Sequence, residues 1–276
     1  MYYINCRGKL IDLSSPKIMG IINITPDSFY KGNREMQINK VLTICERHLK
    51  EGADFIDIGG YSSRPGAENI STTTELQRVI PIINNIKKEF PDSIISIDTF
   101  RSKVAKESII NGASIINDIS ALSIDKELFT IVKNYNIPYI LMHMKGNPQN
   151  MQENTNYDNL LREMIYFLSE KINMLKLNGI NDVIIDPGFG FSKTIQQNFI
   201  ILNNLNKFKL LNSAILVGIS RKSMIYKTLE INSLDALNGT SALNMTALRN
   251  GANILRVHDV KQAKECITLH NEIYRH

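Results

Sequence analysis

The sequence predicts a (β/α)8 TIM barrel, folded as a single domain over residues 1–276 and opened by a short N-terminal hairpin. Three observations lead there. Eight short runs rich in Ile and Val recur along the chain, nearly continuous in hydrophobicity, as strands of a parallel sheet buried on both faces read. Longer stretches with apolar residues three and four apart lie between them. No break in composition interrupts the alternation, and eight βα units in succession close most simply into a barrel. A doubly wound open sheet is the alternative.

Taken in order, the first dozen residues alternate weakly around Arg7-Gly8 and read as a hairpin across the barrel bottom. The strand runs are 18–24, 53–58, 94–98, 114–118, 138–142, 182–186, 214–218 and 254–258. Helical spacing covers 38–51 (Val41, Leu42, Cys45, Leu49), 74–90 (Leu76, Val79, Ile80, Ile83) and 157–178 (Leu160, Leu161, Met164, Ile165, Leu168, Ile172). Gly52, Gly112, Gly179 and Gly251 each stand just before a strand run, where a left-handed residue closes a helix.

Composition narrows the function. The net charge of +5 is spread without a block of like charges, which argues against nucleic-acid binding. No uncharged apolar run approaches the roughly 20 residues of a membrane span, and the N-terminus lacks a signal-peptide core, so a cytoplasmic protein is expected. Cys6, Cys45 and Cys266 share no metal-ligand or redox spacing and read as buried free thiols.

Barrel enzymes carry their chemistry at the C-terminal ends of the strands. Here those ends present Asn23, Asp98, Asn117-Asp118, Met142-His143, Asp186, Ser220-Arg221-Lys222 and Arg256-Val257-His258, and the second strand runs into Gly59-Gly60 and Ser62-Ser63-Arg64-Pro65. One polar residue at a strand end is commonly a cap or a turn former. A ring of them fits a polar heterocycle plus an anion. Asp98, Asn117 and Asp186 suit a ring with N–H donors, and Lys222, Arg64, Arg256 and His258 could hold a phosphate-type group. Asn23 offers a neutral oxygen of the kind Mg2+ takes. Asp57, within its strand, reads as a buried, paired carboxylate supporting the next loop, and His143 as a core or loop residue before it reads as a substrate contact.

These residues fall in segments that resemble the dihydropteroate synthase family. Met19-Gly20-Ile21-Ile22-Asn23-Ile24-Thr25-Pro26-Asp27-Ser28-Phe29 and Asp57-Ile58-Gly59-Gly60-Tyr61-Ser62-Ser63-Arg64-Pro65-Gly66-Ala67 are similar to its two signatures. Ser96-Ile97-Asp98-Thr99, Ile116-Asn117-Asp118-Ile119, Asp186-Pro187-Gly188-Phe189-Gly190-Phe191, Ser220-Arg221-Lys222-Ser223 and Arg256-Val257-His258-Asp259 follow in the family's order. The resemblance implies a transferase of folate synthesis and sulfonamide target that joins 6-hydroxymethyl-7,8-dihydropterin pyrophosphate to p-aminobenzoate. It implies that Asp98, Asn117, Asp186 and Lys222 contact the pterin, with Met142 and Gly218 lining its slot. Asn23, Arg64, Arg256 and His258 would hold the pyrophosphate, with Mg2+ near Asn23. Phe29, Ser63, Pro65, Phe191, Lys222 and Ser223 would shape the p-aminobenzoate pocket. It also implies a homodimer built near the C-terminus, where Leu237, Leu243, Met245 and Leu248 are apolar but could all serve the barrel wall.

Two departures stand out. Lys31-Gly32-Asn33 replaces the family's usual Asp-Gly-Gly, and Ser63 stands where Thr is usual. Residues 25–33 and 61–69 read as loops, so the aromatic-amine pocket is expected to form after the anion binds. A folate-dependent methyl transferase and a non-catalytic pterin-binding paralogue are the alternatives.

Overall fold

A computed structural model describes residues 2–24, 34–62 and 69–274. The chain opens with an antiparallel hairpin, β1 (Tyr3–Cys6) and β2 (Lys9–Asp12), in which Cys6 pairs with Lys9 across a two-residue turn. Arg7 at φ 54 and Gly8 at φ 89 are both left-handed, as the tightest hairpin turn requires.

Eight parallel strands then close into a barrel: β3 (Lys17–Asn23), β4 (Phe55–Gly59), β5 (Ile95–Asp98), β6 (Ala113–Asp118), β7 (Tyr139–Met142), β8 (Val183–Asp186), β9 (Ala214–Val217) and β10 (Ile254–Val257). Each strand pairs with its neighbour in sequence, and β10 closes the ring against β3. Around it lie α1 (Arg34–Lys50), α2 (Thr72–Glu89), α3 (Ser102–Ile110), α4 (Glu127–Tyr135), α5 (Leu160–Leu177), α6 (Ile195–Asn203), α7 (Ser223–Tyr226), α8 (Leu237–Arg249) and α9 (Val260–Tyr274). Every strand run read from the sequence falls within two residues of its observed strand at either end. Gly52, Gly112, Gly179 and Gly251 all take positive φ, closing helices as expected. The unit after β9 is irregular: a single turn, α7, and a 3-10 turn at Ser233–Asp235 come before α8.

Strand alternation divides the interior in two. Outward residues such as Ile58, Ile97, Leu141, Ile185, Val217 and Leu255 pack against the helices. Inward residues near the strand starts, Met19, Phe55, Ile115, Ile140, Ile184, Leu216 and Ile254, form an apolar plug with Ile4, Cys6 and Leu13 of the hairpin segment. The hairpin therefore closes the barrel bottom, as expected. It is tied there by Asn5 N–H to Asp182 Oδ2 at 2.7 Å and by Arg7 Nη1–H to the Ile109 carbonyl at 2.7 Å. Because the lower barrel is filled with side chains, any site must lie above the plug, where the inward positions become polar.

The apolar residues expected to serve either a dimer or the wall go mostly to the wall: Leu248 is buried, and Leu243 and Met245 pack on the core. The exposed apolar side chains of this region are Leu229, Ile231 and Leu234 before α8, and Leu269 and Ile273 on α9. Among the described residues, no helix is long and apolar enough to cross a membrane. All three cysteines are buried and unpaired.

Candidate active site

Parallel register sets the height of each polar side chain. Asp57 pairs with Ser96, Gly59 with Asp98, Asp98 with Asn117, Asn23 with Gly59, and Met142 with Asp186. Asn23, Asp98, Asn117, Met142 and Asp186 thus point into the barrel at its upper end, with Asp57 and Ser96 one step below. Gly59 leaves the gap between two of them, since a Cβ there would lie 3.5 Å from both Asn23 Oδ1 and Asp98 Cβ. Asp57 Oδ1, Ser96 Oγ and Asn117 Oδ1 are buried with no hydrogen-bond partner among the described residues. Buried acceptors without a partner are costly, and are what a ligand with several N–H donors would satisfy.

Arg256 rises from β10 into the same space. Its Nε–H donates to Asp57 Oδ2 at 2.6 Å and its Nη2–H to Asp98 Oδ2 at 2.7 Å. Asn117 Nδ2 donates to that Asp57 oxygen at 3.1 Å. Burial works against the Arg256 charge, but Asp57 and Asp98 outweigh it and hold the guanidinium above its ordinary range. Burial pushes the Asp98 carboxyl up to about 7, against the pull of Arg256 and with the push of Asp57. Arg256 stays charged throughout, so Asp98 is the titrating partner. The sequence placed Arg256 with an anion and Asp57 in a supporting pair. The structure makes the first the partner of the second.

Asp186 and Lys222 stand at the ends of the neighbouring strands β8 and β9, near enough to feel each other's charge. Asp186 Oδ1 accepts from Gly188 N–H at 2.7 Å, and burial raises its pKa despite the nearby Lys222. Lys222 donates to the Phe189 carbonyl, and its Nζ sits 4.9 Å from the centre of the Phe191 ring. Burial draws this ammonium down to about 8, with Asp186 opposing. A side chain at Gly218 would approach Arg256 Cδ and Lys222 Nζ, each at 3.9 Å, so glycine keeps the slot between the two cations open. Met142 forms the apolar wall with Tyr61, Phe100, Ile119, Met144 and Met151, and Phe191 packs on it. Ser223 begins α7 directly after Lys222.

His258 is oriented from the neighbouring strand end. Ser220 Oγ lies 3.0 Å from His258 Nδ1 and accepts from the His258 N–H at 3.2 Å. One residue on, Arg221 grips Asp259 with both Nε and Nη2 at 2.8 Å. These two ties give Arg221 and Asp259 a structural part in their segments: they lock the end of β9 to the end of β10.

Other residues sort away from the mouth. Asp118 points outward, where its carboxylate accepts from Ser120 N–H, Leu122 N–H and Tyr139 Oη at 2.7, 2.8 and 2.6 Å and shapes the turn after β6. His143 is buried behind the mouth, edge-on to Phe167 and 3.1 Å from Lys193 Nζ, in keeping with its core reading. Phe29, Ser63, Arg64, Pro65 and the departure at Lys31 lie outside the described residues. Ser96 and Lys193 escaped the sequence reading: Ser96 sits two residues below a strand end, and Lys193 sits beyond one. Alternation with Asp98 was the available signal for Ser96.

Among the described residues no cluster of three His, Cys, Asp or Glu side chains could hold a metal. Asn23, at the end of β3, offers a neutral amide oxygen.

A family model described as pterin binding enzyme matches residues 19–258. The dihydropteroate synthase of Haemophilus influenzae is 41% identical over 263 residues, which cover 95% of this chain and 95% of that protein. The Yersinia pestis dihydropteroate synthase, solved with a sulfonamide drug, superposes with a TM-score of 0.93 at 37% identity, over 99% of this chain and 100% of that one. The Xanthomonas albilineans dihydropteroate synthase, solved with 4-aminobenzoic acid, gives a TM-score of 0.90 at 34% identity, over 99% and 98% of the two chains.

Proposed function

This chain belongs to the pterin-binding enzyme family, among its dihydropteroate synthases, and from that premise we propose how its barrel mouth joins 6-hydroxymethyl-7,8-dihydropterin pyrophosphate to p-aminobenzoate. The observation that carries the reading is the inward ring of Asp98, Asn117 and Asp186, set beside Lys222 and Arg256 and underlain by unpaired buried acceptors. Asp98, Asn117 and Asp186 receive the pterin N–H groups, and Lys222 covers the ring's acceptor edge. Met142 and Gly218 shape the slot.

The reaction is a substitution at the exocyclic carbon. The C–O bond to pyrophosphate breaks, leaving a benzylic-type cation stabilised by the electron-rich dihydropterin. The amine nitrogen of p-aminobenzoate then attacks and loses its proton. The protein's task is to stabilise charge on the departing oxygen and to align the amine. Arg256 and His258 face the leaving group, and the family resemblance adds Arg64 to them. Phe191 and Ser223, with Phe29, Ser63 and Pro65, form the amine pocket.

Arg256 and Lys222 already face carboxylates, which leaves most of the charge on pyrophosphate to be met from elsewhere. That fits a requirement for Mg2+. Asn23 would hold it through its amide oxygen, a hard oxygen ligand of the kind this ion takes. When bound, it supplies positive charge to the leaving group.

A homodimer is part of the proposal, supported by exposed Leu229, Ile231, Leu234, Leu269 and Ile273, and light scattering at micromolar concentration showing only a 31.3 kDa species would refute it. Cytoplasmic residence fits three unpaired, buried cysteines. The deciding experiment is turnover of the two substrates with and without Mg2+. Product release of pyrophosphate that depends on Mg2+ is expected. Binding without turnover would point to a non-catalytic paralogue, and methyl transfer from a reduced folate to the other alternative.

A further inference from the structure

Between β8 and α6 the chain makes a turn, residues 187–192, that touches both Asp186 and Lys222. Gly188 N–H binds Asp186, the Phe189 carbonyl holds Lys222, and the Phe191 ring lies beside the Lys222 ammonium. Gly188 is pressed so closely on β7 that a Cβ there would fall 2.2 Å from the His143 carbonyl oxygen. Such a turn needs something to fix it. Lys193 reaches back from its end into the protein and is 3% exposed.

The Lys193 ammonium lies 2.8 Å from the Phe191 carbonyl oxygen, 3.1 Å from that of Gly188 and 3.2 Å from that of His143, with His143 Nδ1 at 3.1 Å. Among the described residues no carboxylate lies at ion-pair distance from it. Three carbonyl oxygens converge on one point, and without a cation between them their negative ends would repel. Burial lowers the ammonium's pKa to about 7, with Asp186 opposing, and keeps neighbouring His143 neutral at about 2. The His143 ring therefore acts as a further acceptor. A long cationic side chain is held here at a cost in desolvation, and what it holds is the turn.

Resting on the functional reading above, we propose that Lys193 is a positioning residue for the aromatic-amine subsite, its ammonium acting as an internal tie that fixes where Phe191 stands. The pterin side of the same turn has its own anchor, since Gly188 is held by Asp186 whatever Lys193 does. The neighbours of Phe191 are held too, Gly190 N–H by Asn198 Oδ1 and the Ser192 carbonyl by the Tyr157 hydroxyl, but the Phe191 backbone itself is held by the bond from its N–H to the Gly188 carbonyl at 3.1 Å and by the tie from Lys193 to its own carbonyl. Loss of the tie should therefore fall on the amine and spare the pterin.

Steady-state kinetics of Lys193→Met, varying each substrate at saturation of the other with Mg2+ present, tests this. KM for p-aminobenzoate should rise by about tenfold, while KM for the pterin pyrophosphate stays within about twofold of wild type. Combining Lys193→Met with Phe191→Ala should be no worse for the amine than Phe191→Ala alone, because both changes act through one ring. Equal shifts in the two KM values, no shift in either, or additive effects in the double variant would overturn the inference. Should Lys193→Met fail to fold, Lys193→Gln, whose shorter, uncharged amide has two N–H donors for three carbonyl oxygens and cannot replace the tie, decides by the same outcomes. A wild-type protein that cannot join the two substrates overturns the functional reading and this inference with it. Normal wild-type turnover with an unselective variant overturns this inference alone.

Discussion

Arg256 donates from Nη2 to Asp98 Oδ2 at 2.7 Å, joining the last strand of the barrel to the third across the mouth. The consequence is mutual occupation. The residue expected to meet pyrophosphate and a residue expected to meet the pterin satisfy each other before either ligand arrives. A pterin that takes Asp98 loosens Arg256, and an anion that draws Arg256 away frees Asp98. Asp57, fully buried beneath them, keeps Arg256 in the barrel in both cases through the 2.6 Å contact to Nε.

Arg256→Ala should destabilise the protein by about 3–5 kcal/mol, because it strands the buried Asp57 and the partly buried Asp98 without their shared cation. Arg256→Lys keeps the charge but gathers its donors on one nitrogen, so it cannot reproduce the planar fork that meets the two carboxylates from Nε and Nη2. It should recover much of the stability while turnover remains at least about tenfold below wild type. Denaturant midpoints and turnover at saturating substrate check the pair. Full activity in Arg256→Lys would show that the fork geometry is irrelevant.

Asp118 separates structure from function in the opposite sense. It stands next to Asn117, at the end of the same strand, yet faces away from the mouth. Asp118→Ala removes the acceptor for two backbone N–H groups and the Tyr139 hydroxyl, a loss of about 2–4 kcal/mol from buried hydrogen bonds. Pterin affinity in the folded fraction should be unchanged. A selective loss of affinity at constant thermal stability would return Asp118 to the site.

That contrast shows what the sequence can and cannot disclose. The barrel was legible because strands buried on both faces and glycine-closed helices leave periodic marks, and those marks placed Asn23, Asp98, Asn117 and Asp186 at strand ends. Facing is also periodic: alternation from Asp98 would have assigned Ser96 inward, and alternation from Asn117 would have assigned Asp118 outward. Pairing across the barrel is not. Nothing near Arg256 in sequence indicates that its partners are 199 and 158 residues away. Nor does the segment around Lys193 show that its charge is spent on backbone carbonyls. Such closures are made by the fold as a whole.

Asp186→Asn should weaken binding of the pterin substrate by about 1–3 kcal/mol, the cost of a mismatched buried contact. One oxygen of Asp186 is committed to Gly188 N–H, and the asparagine carbonyl can keep that bond. The amide NH2 then points to the ring in place of an acceptor. The turn after β8 should therefore survive, and the thermal midpoint should move little. Calorimetric titration that finds unchanged affinity would remove Asp186 from the pterin contacts.

The response to pH should carry opposite signs for binding and for stability. Burial pushes Asp98 up to about 7 and draws Lys222 down to about 8. A pterin N–H needs Asp98 as carboxylate, so affinity should climb as pH rises through about 7. Above about 8 Lys222 loses its proton and with it a charged contact, so affinity should fall again. Stability runs the other way on the acidic side. Between its ordinary value of 3.8 and about 7, Asp98 holds a proton in the folded protein that it has released in the unfolded chain. The folded state then binds more protons, and linkage makes this contribution to stability decline as pH rises through that window. Asp98→Asn should abolish the rise in affinity and make that decline shallower, since burial raises Asp186 and Asp118 as well, leaving the loss above about 8 in place. Titration of the pterin substrate by calorimetry, with thermal melts in the same buffers, tests all three limbs. An affinity flat across the window, or one that rises in step with stability, would show that Asp98 is already ionised well below neutrality and that its contact with Arg256 outweighs its burial.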